Sequence, residues 1–352
     1  MIWDLLLMFV LQHAAIVPGA TTVGDATLAT EIAVPVVDSI EIVGFGEQRT
    51  NFGVRFGDAV SRYRVMGMFV LPGETVAIEI DPTGGSAPGS EAPRMQSTGG
   101  VFALAANAGR STPSGANRWL WTAPVVPGIY PIEISNPATH GRMTLNVFVM
   151  VPYSEARRGR LNGYRIGRYP LARAGHESAY APPRGFIEVT PENVNVAVSP
   201  HFSLGQFMCK QAGGYPKYVV LRQPLLVKLE GLLALANQRG HRASTFQIMS
   251  AYRTPFYNAA IGNRTSYSRH HYGDAADIFI DEFPADGRMD DLNRDGRHTV
   301  ADARVLGKLI DETVDSHKSD NLSGGLGTYG STHGHGPFVH VDVRGFDANW
   351  ES

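Results

Sequence analysis

Between residues 34 and 151 the chain consists of short runs in which apolar and polar residues alternate, separated by Gly, Pro, Ser and Asn. The runs cover residues 40–43, 63–71, 75–80, 119–121, 130–134 and 143–151. A period of two residues with a turn signal about every ten residues is typical of a small antiparallel β-sandwich. We therefore predict an accessory β-sandwich, immunoglobulin-like, over residues 27–153. A cluster of His, Asp, Glu and Ser suited to catalysis is absent from this stretch of sequence.

The second half of the chain has a different pattern, which makes the predicted fold class α+β. Five leucines recur at the spacing of one helical face between Pro224, which suits a first helical position, and Gly240, which suits a C-terminal cap. Residues 245–249 are predicted to form a strand. Residues 154–184 are basic and rich in turns, so we interpret them as a linker with a solvated charged face.

Length, charge and cysteine content limit the kinds of site that the chain can carry. A chain of 352 residues has room for two domains, and its net charge of −2 provides no basic field for binding nucleic acid. We expect no stable membrane insertion, because no stretch approaches the length of an apolar membrane span. The single cysteine, Cys209, excludes an intramolecular disulfide and a Cys-rich zinc site. A metal site must therefore use His and carboxylates.

The amino terminus predicts export. An apolar run over residues 5–11 is followed by small residues, as in a signal peptide, which we place at residues 1–26. The expected basic flank is missing, since Asp4 is the only charged residue before the run. A buried first strand or a misplaced start codon are the alternatives. A signal peptide implies a periplasmic or secreted protein.

Three residues in the second half suggest a metal site. His270 lies in a predicted loop, Asp277 lies seven residues later at the start of an apolar strand, and His340 lies within another strand. Two imidazoles and one carboxylate form a three-ligand set that leaves a fourth tetrahedral position for water, as catalytic zinc requires. The spacing alone also allows hydrogen-bonded structural roles for these residues.

The motifs around these residues resemble a known family. Ser268-Arg269-His270-x-x-Gly273-x-Ala275-x-Asp277, an upstream Tyr-Arg-Thr at residues 252–254 and a late Phe-Val-His-Val-Asp at residues 338–342 resemble the D-alanyl-D-alanine carboxypeptidase family of zinc peptidases. The family shares its fold with hedgehog signalling domains and murein endopeptidases. The resemblance covers residues 185–352, for which it implies an α+β zinc domain.

The resemblance also implies roles for individual residues. His270, Asp277 and His340 would be the zinc ligands, and Arg253 would hold a substrate carboxylate or the developing oxyanion. Tyr252 and Ser268 would contact substrate or support the ligands.

The chain departs from the family at the general base. The carboxypeptidases carry Glu three residues before the last ligand, where this chain has Pro337, and related endopeptidases carry His two residues before it, where this chain has Phe338. The candidates from this sequence are Asp342, which shares a strand face with His340, and His335 or His333 in the preceding loop. Asp342 has the alternative role of orienting a ligand.

A second metal motif lies between the two halves of the zinc site. Residues 291–302 have the EF-hand pattern of oxygen ligands at positions 1, 3, 5 and 12 with Gly at position 6, and resemble a dockerin-type calcium loop. The predicted calcium ligands are Asp291, Asn293, Asp295, the backbone carbonyl of Arg297, and Asp302. A metal-free turn that caps the following helix is the alternative.

Together the motifs predict a zinc-dependent peptidase that hydrolyses bonds involving D-amino acids in peptidoglycan stem peptides, as a carboxypeptidase or an endopeptidase. The expected cofactors are Zn²⁺ and Ca²⁺, and the expected partners are peptidoglycan peptides. A cell-wall or surface binding protein that keeps a structural zinc site without catalysis is the alternative, and the missing Glu supports it.

Overall fold

The structure is a computed structural model that describes residues 48–57, 59–82, 101–263, 265–316 and 322–352, with the side chains of 313–316 excluded. The predicted signal peptide and the apolar run at residues 40–43 lie outside these ranges. All described residues belong to one compact unit. The unit is a mixed α+β fold with many strands and few helices, which confirms the predicted class at that level.

Residues 49–149 form two sheets. The strands are β1 (Arg49–Phe56), β2 (Ala59–Tyr63), β3 (Val65–Val70), β4 (Thr75–Asp81), β5 (Ala103–Ala106), β6 (Arg110–Gly115), β7 (Arg118–Thr122), β8 (Gly128–Asn136) and β9 (Gly141–Val149). One sheet has the order β2-β1-β4-β7-β6, and the other has the order β3-β9-β8-β5 with β3 parallel to β9. Period-two patterning accounts for the core, since Met143, Leu145 and Val147 of β9 are fully buried while the residues between them are partly exposed.

The basic connecting segment is anchored by its apolar residues. It contains β10 (Val151–Pro152), β11 (Arg160–Leu161), β12 (Tyr164–Arg165) and the short helix α1 (Glu177–Tyr180). Arg157, Arg160 and Arg165 are exposed, as a solvated charged face requires, but Tyr164 and Tyr180 are buried. The segment therefore packs against the rest of the unit at a few apolar residues, while most of its length is exposed.

The remaining elements bring the candidate site together. They are β13 (Gly185–Val189), β14 (Ala197–Ser199), β15 (Phe202–Ser203), β16 (Lys217–Val219), α2 (Gln223–Gln238), β17 (Gln247–Ser250), α3 (Pro255–Ala260), β18 (Ala275–Phe279), α4 (Val300–Ser316), β19 (Gly325–Tyr329), β20 (Phe338–Asp342) and β21 (Ala348–Glu351). The helix predicted from the leucine pattern is α2, whose leucines are buried along the predicted face. Strands β17-β18-β20-β19-β21 form one sheet in that order.

The two faces of this five-stranded sheet differ in character. Helix α4 lies on one face, where a Cβ atom on Gly307 would come within 3.1 Å of Thr328. Thr328 is paired with Val339, so the even-numbered residues of β19 share this face with the odd-numbered Val339 and Val341 of β20. Asp277 and His340 are paired across β18 and β20 and point to the opposite face. Asp277 lies in the middle of its strand, not at the start as predicted, because the strand extends back to Ala275.

The sandwich strands and the second half are in direct contact. The Asn146 side-chain amide on β9 donates a hydrogen bond of 2.8 Å to the carbonyl of Ala197 on β14. A Cβ atom on Gly67 of β3 would lie 3.3 Å from the carbonyl of Val198. The two regions therefore share a packed interface. Of the helices in the described residues, none is long and apolar enough to cross a membrane.

Candidate metal centre

Three local structures place His270, Asp277 and His340 together. Asp277 and His340 are cross-strand neighbours on β18 and β20. His270 lies in a 3-10 turn over Arg269–Tyr272 that ends at Gly273. Gly273 has φ +68°, and a Cβ atom there would lie 2.3 Å from the carbonyl oxygen of Val220. The glycine of the motif is therefore needed both for the left-handed conformation and for the close approach of the backbone.

The three side chains present one atom each to a common point. The Nδ1 atom of His340 lies 2.9 Å from Oδ1 of Asp277 and 3.2 Å from Nε2 of His270. The Nε2 atom of His270 lies 3.3 Å from the same Oδ1 atom. All three residues are buried. Among the residues that the structure describes, these three form a group whose possible ligand atoms all lie within 4.8 Å of one another, as binding of one metal ion requires.

Outer hydrogen bonds determine which nitrogen of each imidazole faces the centre. Nδ1 of His270 lies 2.6 Å from the carbonyl oxygen of Ala251, so it must donate a hydrogen there. Nε2 of His340 donates to Oδ2 of Asp342 over 3.0 Å. Neutral imidazoles with these tautomers direct unprotonated nitrogens inward. Two nitrogen lone pairs and a carboxylate oxygen then face one another, an arrangement that a cation stabilises.

The spacing also suits a metal ion of the size of zinc. A tetrahedral zinc site with bonds of about 2.0–2.1 Å has ligand–ligand edges of about 3.3 Å. The observed edges of 2.9, 3.2 and 3.3 Å are close to that value. Two imidazoles and one carboxylate are also among the donor sets that catalytic zinc and non-haem iron use. The residues present therefore fit a divalent metal with at least one position left open.

The charges of the cluster favour bound positive charge. Burial opposes ionisation of Asp277, but the neighbouring His270 and His340 hold the pKa of its carboxyl well below the usual range. Burial also disfavours charge on His340, yet hydrogen bonds to Asp277 and Asp342 raise the pKa of this imidazole to about 8. Burial lowers the pKa of His270. His340 thus keeps a proton near neutral pH, and a metal ion can take the place of that proton.

Arg253 lies at the edge of the centre and contacts Asp277. Its guanidinium donates to Oδ2 of Asp277, the oxygen that points away from the two imidazoles. Its Nε–H donates to Oγ of Ser250 over 2.6 Å. Arg253 therefore orients the carboxylate in this structure, and a contact with substrate stays a prediction.

Asp342 lies behind His340, on the far side from the inward-facing atoms. Its carboxylate accepts from Nε2 of His340, from the guanidinium of Arg344 and from the backbone N–H of Gly325. The residue is fully buried. Of the two roles predicted for Asp342, this placement favours orientation of a ligand, because its carboxylate does not face the position where a water would bind.

His335 and His333 do not join the three-residue cluster. His335 lies on the loop before β20 and packs its ring on Phe338, with centroids 4.9 Å apart. Its Nδ1 lies 2.8 Å from the carbonyl oxygen of Gly336. His333 is exposed. His335 thus lies toward the end of β20 that is remote from Asp342.

Tyr252 and Ser268 are both buried. Tyr252 is 1% exposed, and its hydroxyl lies 3.0 Å from that of Tyr169 in the connecting segment. The structure therefore buries Tyr252 in the packing, which favours the supporting role over contact with substrate, and its predicted role stays a prediction. Ser268 begins the turn that carries His270, and its carbonyl accepts from the N–H of His271 over 3.1 Å.

Sequence reasoning missed three neighbours of the centre. The ring of Trp350 lies 5.2 Å from that of His340, over Gly327, where a Cβ atom would come within 2.4 Å of the indole. Ser250 holds Arg253, as described above. His271 is buried, and neither of its ring nitrogens has a hydrogen-bond partner among the described residues. Only His271 could have been found from the sequence, because it directly follows His270. Trp350 and Ser250 lie near the centre because of the register of their strands in the sheet.

In the loop predicted to bind calcium, the aspartate side chains accept hydrogen bonds from backbone N–H groups of the same loop. Asp291 accepts hydrogen bonds from the N–H groups of Asp295 and Gly296, and Asp302 accepts from those of Asn293 and Thr299. The N–H of Arg297 bonds to Asp295. Among the described residues, the carboxylates of this loop do not form a group whose oxygens all lie within 4.8 Å of one another, as the ligand atoms of His270, Asp277 and His340 do.

Comparisons with known proteins assign no family. The chain matches no protein-family model and no curated protein. Part of it is similar to a solved structure, the adhesin InvE of Yersinia pseudotuberculosis, at 13% sequence identity and a TM-score of 0.17. The match covers 30% of this chain and 29% of the adhesin. So low a TM-score carries no argument about fold or function.

Proposed function

We propose that the protein is a zinc-dependent peptidase that hydrolyses bonds involving D-amino acids in peptidoglycan stem peptides. The observation that carries this proposal is the convergence of His270, Asp277 and His340, three residues from two separate motifs that resemble those of the zinc peptidases. The proposal includes an immunoglobulin-like fold for the sandwich, a hedgehog-like fold for residues 185–352, and a periplasmic or secreted location. It leaves open whether the enzyme is a carboxypeptidase or an endopeptidase.

The chain's own residues have distinct roles in the proposed reaction. Bound zinc would supply a Lewis acid that polarises the substrate carbonyl and lowers the pKa of a water molecule. His270, Asp277 and His340 would hold the metal, while Ala251 and Asp342 fix the two imidazole rings. Fixed rings keep the ligands in place without reorganisation during the reaction.

The arginine and the proton acceptor complete the proposed site. Arg253 keeps one oxygen of Asp277 directed inward and carries a permanent charge beside the metal position, where negative charge develops on the carbonyl oxygen. Asp342 is occupied by His340 and Arg344. Of the predicted proton acceptors, His335 is therefore the one that a substrate lying over β20 can meet.

A non-catalytic cell-wall or surface binding protein with a structural zinc is the second candidate. The observation that favours it is the absence of a carboxylate or imidazole at the two positions before His340 where related enzymes carry their base. Pro337 and Phe338 occupy these positions, and both are buried.

Digestion of cross-linked peptidoglycan, analysed by mass spectrometry, tests the proposal. The zinc-loaded protein is expected to release D-amino acids or to split cross-links, and His270→Ala is expected to release neither, because it removes one metal ligand. His241→Ala, the same substitution at a partly exposed position outside the cluster, is the matched control. A protein that binds zinc and muropeptides but yields no product would be a binding protein.

We also propose that residues 291–302 bind calcium and thereby stabilise the start of α4. The support is the spacing of Asp291, Asn293, Asp295 and Asp302 together with the position of Asp302 in the first turn of that helix. Calcium is expected to raise the melting temperature of the wild type and to leave that of Asp291→Asn unchanged. An equal response of both proteins, or of neither, would contradict calcium binding at this loop.

A further inference from the structure

The sheet face that carries the metal centre continues into a cleft. Phe279 lies two residues after Asp277 on β18 and is paired with Gln247 of β17. Residues two apart on a strand point to the same face about 7 Å apart. Phe279 and Gln247 line a cleft of about 270 Å³, which also includes His335 and Pro337 from the loop before β20. The cleft therefore begins two residues along β18 from Asp277, next to the position where the metal would bind.

Two cationic side chains line this cleft. They are Lys210, which lies between β15 and β16, and Arg288, which lies in the loop after β18. Aspartate and glutamate are absent from the described residues that line it. The lining thus carries positive charge, and Asp286, whose carboxylate accepts a hydrogen bond of 3.0 Å from the backbone N–H of Arg288, is not part of it.

These two cations differ from the arginines of the metal centre. Arg253 is paired with Asp277, and Arg344 is paired with Asp342. Neither Lys210 nor Arg288 forms a salt bridge or a side-chain hydrogen bond within the described ranges, and both are exposed. A binding partner can therefore reach them without first breaking an ion pair.

The chemistry of the lining suits a carboxylate on a peptide. Lysine offers three N–H donors and arginine offers a planar fork that matches a carboxylate, and the amide of Gln247 adds a neutral donor. Phe279, which is partly exposed, supplies an apolar surface against which a peptide backbone can pack. An exposed ion pair contributes little by itself, but two cations beside an apolar surface bind an anion more strongly.

We propose that this cleft is a subsite for a carboxylate of the substrate, within one or two residues of the scissile bond. The substrate class is therefore an acidic peptide, and a stem peptide with free carboxylates is preferred over its amidated form. The inference rests on the proposed peptidase function, because it takes the metal centre as the site of cleavage.

The test compares a stem peptide that has free side-chain carboxylates with the same peptide in which they are amidated. Wild-type protein is expected to show at least a tenfold higher kcat/KM on the free acid. The double variant Lys210→Gln/Arg288→Gln is expected to lose this preference and to keep its rate on the amidated peptide. The matched control is Arg242→Gln/Lys308→Gln, which removes the same charge from two exposed positions outside the cleft.

Binding of both peptides to each protein is also measured by calorimetry. Together with the hydrolysis rates, it shows whether the subsite proposal or the peptidase proposal is wrong. Hydrolysis of both peptides by the wild type at equal rates would overturn the subsite and leave the peptidase intact. If neither peptide is hydrolysed, the peptidase fails. Tighter binding of the free acid, lost in Lys210→Gln/Arg288→Gln, would then support an acidic-ligand subsite, and equal binding would overturn it.

Discussion

At the residue scale, the most informative contact is the hydrogen bond from His340 to Asp342. It fixes the tautomer that directs the lone pair of Nδ1 toward His270 and Asp277. That His270, Asp277 and His340 form a group able to hold a metal could be predicted from sequence, because the motifs that carry them are local. The roles of Asp342 and Arg253 could not be decided, since a carboxylate or a guanidinium near a metal ligand serves equally well in several roles until its hydrogen-bond partners are known.

The first prediction concerns this contact. Asp342→Asn is expected to weaken zinc binding by about 10- to 100-fold, the usual effect of removing an outer carboxylate from a metal-bound imidazole. Competition with a chelator of known affinity measures the change. Asp281→Asn, which removes a buried carboxylate that accepts only from backbone N–H groups of its own loop, is the control. An affinity equal to that of the wild type would show that Asp342 does not support His340.

At the element scale, α2 is joined to the sheet by a buried lysine. Nζ of Lys228 donates to the carbonyls of Leu322 and Asp342 over 3.0 and 2.9 Å. The helix itself could be predicted from its leucine period, whereas this attachment could not, because its partners lie about a hundred residues away. Strand β6 was also missed, since all six of its residues are exposed and polar or small, without an apolar period.

The second prediction follows from the burial of Lys228. Burial lowers its pKa from 10.5 to about 8, which the nearby Asp342 only partly offsets. At this lysine the unfolded chain therefore binds more protons than the folded one between pH 8 and 10, so the titration of Lys228 makes the free energy of unfolding rise with pH across this window. The full slope is about 1.4 kcal/mol per pH unit. Above pH 10, buried tyrosines with raised pKa values, such as Tyr169, reverse the trend.

Urea denaturation at pH 8, 9 and 10, with metal removed by a chelator, measures this slope. Lys228→Met is expected to abolish the rise, because it removes the group that titrates. Lys308→Met, at an exposed position of α4, is expected to retain it. Equal slopes in the wild type and in Lys228→Met would show that the lysine is not responsible.

At the scale of the whole molecule, the strands of the first half and the half that carries the candidate metal centre form one compact unit. Period-two patterning indicated β3, β4, β7, β8 and β9 of the first half but not β1, β2, β5 and β6, and the change of pattern indicated the second half. The packing of one half on the other could not be predicted, because it depends on close contacts such as that of Gly67 with Val198. The connecting segment was predicted as a solvated linker, yet its tyrosines are part of the packing.

The third prediction is that both halves unfold together. Trp121 is fully buried in the first half, and Trp350 packs beside His340 in the second. Tryptophan fluorescence of single-Trp variants that keep one or the other is expected to report the same urea midpoint. Asn146→Ala, which removes the bond to Ala197, is expected to lower both midpoints equally. Separate midpoints would show that the two halves are independent domains.

The most direct test of the account is a titration of metal-free protein with zinc while hydrolysis of stem peptides is followed. We expect the rate to rise in proportion to the first equivalent of zinc and then to level off, with neither binding nor hydrolysis in Asp277→Ala. Hydrolysis that is independent of zinc would contradict the account, and so would one equivalent of tightly bound zinc without any hydrolysis.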